Sequence, residues 1–382
     1  MRALTAPLVV AGAALLLAAP AAHAQGTLST QGFGYPPGQI STRSQGAGAA
    51  TAEIDPVSPL NPASLVNWGT SAVFFQASPE YRTIDIGGES QKSSTQRYPL
   101  AIGALRVGPA TYLSLSTSTY LDRTWGTTTE TLIDIGGATV MSTTALASQG
   151  AINDVRLAAA HAVRDWLRVG LGAHAIVGRN RLSVVNTFGD SSAFTPIVDT
   201  STISYGAGAF SAGAEARVGE HWSVAASTRF GGKISTRLND STTLSRANMP
   251  TRFGVGVGYL GLRGSVLAVR AAHESWSNLS SLGQPGFTAH DGWDLSAGAD
   301  VAGPRFGRNV VQLRAGVRRR TLPFEAGGSD VDENSFSLGA GTMFANGRVV
   351  GDIAVIRSSR TAADIDAHER AWTLSFGLAI QP

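Results

Sequence analysis

The segment Ala371–Ile380, AWTLSFGLAI, decides how the rest of the chain is read. Trp372, Leu374, Phe376, Leu378 and Ile380 fall on one side, and Thr373, Ser375, Gly377 and Ala379 on the other. A side-chain period of two marks a β-strand with one apolar face. The pattern recurs. Phe253, Val255, Val257 and Tyr259 oppose Arg252, Gly254, Gly256 and Gly258, and Trp293, Leu295, Ala297, Ala299 and Val301 oppose Asp294, Ser296, Gly298 and Asp300. Val311, Leu313, Ala315 and Val317 oppose Gln312, Arg314, Gly316 and Arg318, while Phe336, Leu338, Ala340 and Phe344 oppose Ser335, Ser337, Gly339 and Gly341.

A soluble β-sandwich alternates too, but it turns polar residues outward. Here the second face mixes glycine and serine with arginine and aspartate, as it does where it looks into an aqueous or plugged lumen and the apolar face meets lipid. Trp166, Trp222, Trp293 and Trp372 sit near strand ends, where interfacial girdle residues belong. Short connections at Val107-Gly108-Pro109, Arg164-Asp165, Gly219-Glu220-His221, Leu260 to Gly264, Gly303-Pro304-Arg305 and Ala345-Asn346-Gly347 alternate with longer polar ones. The longer ones lie near 87–95, 124–142, 179–200, 236–249, 277–290, 322–333 and 359–368. Short periplasmic turns and long external loops are the arrangement of bacterial outer-membrane barrels.

The approximate strand spans are 69–86, 96–107, 110–123, 148–163, 166–178, 202–218, 221–235, 250–260, 264–276, 291–302, 307–320, 334–345, 348–358 and 369–380. That is an even count of fourteen, which closes an antiparallel barrel with both ends on the periplasmic side. In the sixth strand Tyr205, Ala207 and Ala209 share one face, and Phe210, Ala212, Ala214, Ala216 and Val218 the other. Either a bulge near Ala209-Phe210 or a misplaced strand start accounts for the change.

Met1-Arg2, the apolar stretch 4–19 and Ala22-His23-Ala24 before Gln25 have the three parts of a secretory signal peptide, with cleavage expected after Ala24. The short apolar part and the A-x-A site argue against a retained anchor. No later run supplies eighteen apolar residues, leaving a soluble secreted protein or an outer-membrane barrel. The absence of cysteine means that an exported product relies on a large core or a closed sheet. A net charge of +3 is too small a bias to argue for nucleic acid despite a pI near 9.4. The 45 glycines exceed the roughly 7% typical of proteins and suit long strands around a crowded interior.

Residues 25–66 contain Pro36-Pro37, Pro56, Pro59 and Pro62, so neither a long helix nor a central strand is available there. Gly46, Ala47, Gly48, Ala49, Ala50 and Ala52 have little bulk and let backbone press against a surrounding wall. The segment reads as a folded insert in the lumen, with a disordered periplasmic tail as the alternative. The stretch Gly46-Ala47-Gly48-Ala49-Ala50, then Asp55, then Asn61-Pro62-Ala63 resembles the hatch of FadL-type long-chain fatty acid outer-membrane transporters. That resemblance implies an all-β, 14-stranded antiparallel transmembrane β-barrel. Its divisions would be a signal peptide 1–24, an N-terminal hatch or plug 25–66, and a barrel 67–382.

The resemblance further implies passive uptake of hydrophobic molecules such as long-chain fatty acids. A ligand is caught between external loops, passed to an apolar pocket and released through the wall as the hatch rearranges. Hatch residues carried over are Gly46, Gly48, Asp55, Asn61, Pro62 and Ala63. Partners implied are outer-membrane lipid and lipopolysaccharide, a hydrophobic small-molecule ligand, and the barrel-assembly machinery, for a monomer without cofactor, metal or nucleic acid. The chain departs from the pattern in ending Ile380-Gln381-Pro382, with Phe376 the nearest aromatic, and in lacking a clear amphipathic helix between its third and fourth strands. The second reading is a FadL-like, PorV-type scaffold or shuttle in protein secretion, whose long loops hold partner proteins.

The inward-facing set contains Arg156, Arg168, His174, Arg229, Arg252, Asp294, Asp300, Arg314, Arg318 and Asp352. Arg314, Arg318, Arg252 and Arg229 are the ligand-binding or lumen candidates: either they hold a carboxylate ligand, or they pair with one another and with the insert. Asp55 is expected to counter Arg314 or Arg318. No enzyme is expected, since the histidines are scattered and there is no G-x-S-x-G elbow. No H-E-x-x-H spacing indicates a metal. Gly254-x-Gly256-x-Gly258 lies within a strand, not before a helix, so it is not a nucleotide fingerprint.

Overall fold

The computed structural model describes residues 28, 34–135, 138–189, 194–282, 288–306, 309–326, 328–362 and 366–381. The expected signal peptide lies outside them. Within them the chain is a closed 14-stranded antiparallel barrel. Its segments are β1 Ala72–Ile86, β2 Glu89–Arg106, β3 Thr111–Asp122, β4 Trp125–Ile135, β5 Ala138–Arg164, β6 Leu167–Phe188, β7 Ile197–Val218, β8 Trp222–Gly231 and β9 Lys233–Leu238. There follow β10 Thr242–Asn248, β11 Arg252–Tyr259, β12 Val266–Glu274, β13 Gly292–Phe306, β14 Asn309–Ala326, β15 Ser329–Phe344, β16 Val349–Ala362 and β17 Ala367–Ile380.

Three wall strands are each broken into two segments. β3 and β4 lie in tandem along β5, β8 and β9 along β7, and β10 and β11 along β9 and β8. Closure comes from β1, where Val73 faces Gly103 of β2 on one side and Ile380 of β17 on the other. The two faces behave as the alternation requires. Trp372, Phe376, Leu378 and Ile380 are about half exposed on the lipid side, whereas Ala371 and Ser375 are buried in the bore. Trp166, Trp222 and Trp293 also point outward. Among the described residues no helix is long and apolar enough to cross a membrane.

Two expectations change. Most of the connections read as long loops are strand: β4, the first part of β5, the last part of β6 and β10 all fall in them. Above the bilayer both faces of a strand meet water, so its two-faced pattern disappears while threonine-rich β propensity remains. The bulge at Ala209-Phe210 is also absent: β7 keeps one register against β6 from Ile197 opposite Asn186 to Ala216 opposite Leu167. Tyr205 and Ala209 face the bore and Phe210 faces lipid. The strand is regular; its apolar residues change sides because the part of the outer bore beside it is itself apolar.

Residues 34–68 fill the bore. They touch inward side chains around the circumference: Thr42 meets Ser375 of β17, Gly48 N donates to Ser337 of β15, and Asn61 donates to the Ala214 carbonyl of β7. A short α-helix, Thr42–Gly46, and a 3-10 helix, Pro62–Trp68, are the regular elements. The small-residue run is needed on both sides of the contact. Gly48 has φ +65°, and a Cβ there would sit 2.6 Å from Val317 N; one on Gly298 would sit 2.1 Å from the Ala47 carbonyl oxygen.

Candidate functional site: a plugged bore

Asn61 anchors the inner end of the insert. Its side chain accepts from Ala63 N (3.0 Å), capping the 3-10 helix that starts at Pro62, and donates to the Glu53 carbonyl (2.9 Å). The wall makes room with glycine: a Cβ on Gly213 would lie 1.9 Å from Asn61 Oδ1, and one on Gly170 would lie 2.5 Å from the Pro62 carbonyl carbon.

Asp55 does not counter Arg314 or Arg318. It accepts from Ser41 Oγ (2.5 Å), Ser44 Oγ (2.9 Å), Ser58 Oγ (2.7 Å) and Val57 N (3.3 Å), all within the insert. Nearby hydroxyls satisfy it at little ordering cost. Glu53 makes the link to the wall instead. It is fully buried, pairs with Arg252, meets Arg270 Nε at 3.3 Å and accepts from Ser227 Oγ at 2.7 Å. Burial pushes the Glu53 carboxyl upward, but the two guanidiniums outweigh it and hold the group below its ordinary value.

The other lumen candidates are also engaged. Arg314 reaches Asp300 (2.9 Å) and Asp352 (2.6 Å), Arg318 reaches both oxygens of Asp294 (2.7 and 2.8 Å), and Arg229 pairs with Glu274 and donates to Gln39 (2.9 Å). A larger cluster surrounds Tyr35 of the insert. The guanidiniums of Arg82, Arg97, Arg320 and Arg360 lie 4.7–5.9 Å from its ring centroid, facing Glu80, Asp122, Glu333 and Glu369. Four cations meet four carboxylates, so the cage is neutral. Buried pairs of this kind add little net stability but fix position, because breaking one strands a charge. Of these wall residues only Glu333 and Arg360 lie beyond the expected spans; the others lie within them but were not singled out in the sequence reading. Glu80 and Arg82 share the inward parity of Gln76 and Ser78, a signal that was present in the sequence.

Beside the Tyr35 cage, part of the outer bore is apolar. Tyr120, Ile152, Ile176, Tyr205, Ile234, Met249, Trp276, Leu279 and Phe324 form one buried cluster, with Tyr120 and Trp276 stacked at 5.2 Å. Between this cluster and the arginines below it, Tyr120, Trp276, Leu322, Arg229, Arg252 and Arg318 line a cavity of about 70 Å³. A second cavity, of about 60 Å³, lies between the insert and the wall at Ser78 and Pro99. Each has room for a few waters only. The bore is therefore shut in this conformation.

Beside the second cavity the wall is irregular. The register shifts between Gln76 and Ser78, where Tyr98 and Pro99 oppose the single residue Ala77. Pro79 and Pro99 contribute no N–H to the ladder. On the lipid side the same place carries an apolar groove lined by Phe75, Ala77, Tyr98, Ile353, Phe376 and Leu378.

The barrel also assembles an acid, histidine and serine that the sequence reading left scattered. His174 Nδ1 lies 2.8 Å from Asp154 Oδ1 and Nε2 lies 2.8 Å from Ser211 Oγ, on three successive wall strands. Ser211 is buried, and the strand amides around it are committed to the ladder, which leaves no oxyanion hole. The chain of bonds orients Asp154 toward Gln39 of the insert, 2.7 Å away.

Neither a protein-family model nor a curated protein sequence matches this chain. Solved structures do. A Pseudomonas aeruginosa FadL homologue superposes with a TM-score of 0.64 at 14% identity, covering 91% of this chain and 99% of that one. This is the FadL-type barrel fold. The toluene transporter TbuX of Ralstonia pickettii gives 0.54 at 14% identity over 92% and 99% of the two chains, and the toluene transporter TodX of Pseudomonas putida 0.55 at 12% over 90% and 97%. At these identities the likeness to FadL-type proteins is one of architecture, and function is argued from the site.

Proposed function

We propose that this chain is an outer-membrane channel for the passive uptake of hydrophobic molecules, long-chain fatty acids among them, with residues 34–68 as its hatch. The observation that carries the reading is the division of the bore. An apolar chamber around Trp276 and Leu279 sits on a floor of arginines held by carboxylates and by Glu53 of the insert. An amphiphile would place its tail in the chamber and its head on that floor. The cavities are too small for a ligand at rest, so entry requires the hatch to shift. Pro79, Pro99 and the register shift between Gln76 and Ser78 supply an irregular part of the wall, next to a lipid-side apolar groove, and serve as the exit. In this reading the barrel sits in the bacterial outer membrane as a monomer among outer-membrane lipid and lipopolysaccharide, inserted by the barrel-assembly machinery; the band of outward-facing apolar side chains supports it. No catalytic role belongs to this reading.

The filled bore favours a second reading, the secretion scaffold or shuttle, whose interior stays closed while its outer strands hold partners. Uptake of labelled oleate and toluene into cells lacking their own carrier separates the two. Transport predicts uptake that is lost on Leu279→Asp or Trp276→Arg, in protein that still reaches the outer membrane. Equal, background uptake by the parent and both variants would leave the scaffold.

A further inference from the structure

Arg156 stands apart from the other buried cations of the bore. It is 1% exposed, and among the described residues none of its three side-chain nitrogens has a hydrogen-bond partner. Asp154 is two residues away on the same face of β5, but its oxygens are taken by His174 Nδ1 (2.8 and 3.0 Å) and Gln39 Nε2 (2.7 Å), with Arg229 at 3.7 Å. The guanidiniums around Tyr35 are matched by carboxylates; Arg156 is not. A buried guanidinium with no hydrogen-bond partner is costly, so a wall that keeps one has something to gain from it.

Two further donors are free beside it. Ser116 faces Arg156 directly across the β3–β5 ladder, and Ser114 is the next inward residue on β3; both are buried, and among the described residues neither hydroxyl has a partner. Much of the surrounding surface is apolar. Ile102 lies opposite Ser116 on β2, and Ala158, Leu100 and Tyr112 belong to an apolar cluster at this level. Gly172 keeps the floor open: a Cβ there would come within 3.3 Å of Arg156 Cδ and 2.5 Å of Ser211 Oγ.

We propose that Arg156, Ser116 and Ser114 form an internal site for one monovalent anion of carboxylate or halide type. The guanidinium supplies charge and directional N–H donors, the serines supply O–H donors, and the apolar surroundings strengthen all of them. The anion arrives either free in solution or as the head of an amphiphile. The site is distinct from the arginine floor, and it stands whether or not the chain is a transporter.

The test uses the purified full chain in neutral detergent. Sodium formate replaces the sodium salt of a bulky sulfonate at constant ionic strength, and the thermal midpoint is followed; decanoate and decanol are run in parallel. The expected result is a midpoint that rises with formate in the parent and stays flat in Arg156→Met. In Ser116→Ala the apparent Kd should be roughly tenfold weaker, the worth of one charge-assisted hydrogen bond. A rise with decanoate alone, absent with decanol and in Arg156→Met, also supports the site and assigns the anion to a head group. Equal responses of the parent and Arg156→Met to both anions overturn it. Should Arg156→Met fail to fold, a formate and decanoate response unchanged in Ser114→Ala/Ser116→Ala overturns it equally. No formate or decanoate response in the parent, with its oleate uptake intact, would refute the site and leave the channel reading standing.

Discussion

Removing the Glu53 carboxylate is the sharpest way to loosen the insert without touching the wall. In Glu53→Ala, Arg252 and Arg270 keep their places in the bore; Arg252 loses its carboxylate and Arg270 is left with Asp294 alone (2.8 Å). Ser227 Oγ loses its acceptor as well. Breaking a buried ion pair from one side costs about 3–5 kcal/mol. That energy is charged only to the docked state, since an undocked insert leaves the arginines open to water. The docking equilibrium therefore moves by at least roughly 100-fold, at 1.4 kcal/mol per decade. The chain contains no cysteine, so one introduced thiol reports without background. Ser44→Cys is conservative in size and lies fully buried in the docked insert. Its maleimide labelling rate tracks the undocked fraction and should rise about 100-fold in Glu53→Ala, with partial return in Glu53→Ala/Arg252→Met, where the stranded charge is removed. A labelling rate within threefold of the parent, with no change in the double variant, would refute the claim that Glu53 fastens the insert to the wall.

Other outcomes follow from the same geometry. Gly213→Ala places a methyl where Asn61 Oδ1 now lies, 1.9 Å from the ideal Cβ, and should cost about 1–3 kcal/mol of docking through the lost cap, read by the same thiol. Acid should release the insert. The folded Glu53 carboxyl lies below its unfolded value, so its contribution is fully present above the unfolded pKa and is lost as pH falls through the folded one. Pepsin cleavage within residues 34–68 should rise over that interval, and Glu53→Gln should remove this component of the pH dependence. Deleting Tyr98, one of the two residues opposite Ala77, should make the β1–β2 ladder continuous and abolish uptake. Retained ligand binding, by tryptophan fluorescence, would show that only the exit is lost; unchanged uptake would move the exit elsewhere.

How far the fold could be read depended on where each strand segment finds its solvent. Inside the bilayer lipid and lumen differ sharply, so Phe253 to Tyr259 and Trp372 to Ile380 alternate clearly, and the fourteen strands could be counted. Above the bilayer both faces see water, and Trp125–Ile135 and Thr242–Asn248 looked like loops although they are strand. The same rule explains β7: Tyr205 and Ala209 face an apolar chamber while Phe210 faces lipid, so a regular strand imitated a bulge. For the site, parity put Arg229, Arg252, Arg314 and Arg318 in the bore but was silent about partners. Partner choice depends on how the insert folds. Asp55, surrounded by Ser41, Ser44 and Ser58, satisfies itself locally, which leaves Glu53 to reach Arg252 and Arg270. Two acids two residues apart thus have opposite roles, one fixing the insert's own fold and the other its seat in the wall. Replacing Asp55 should disorder the insert even where it stays in the bore, whereas replacing Glu53 should free an insert that keeps its fold.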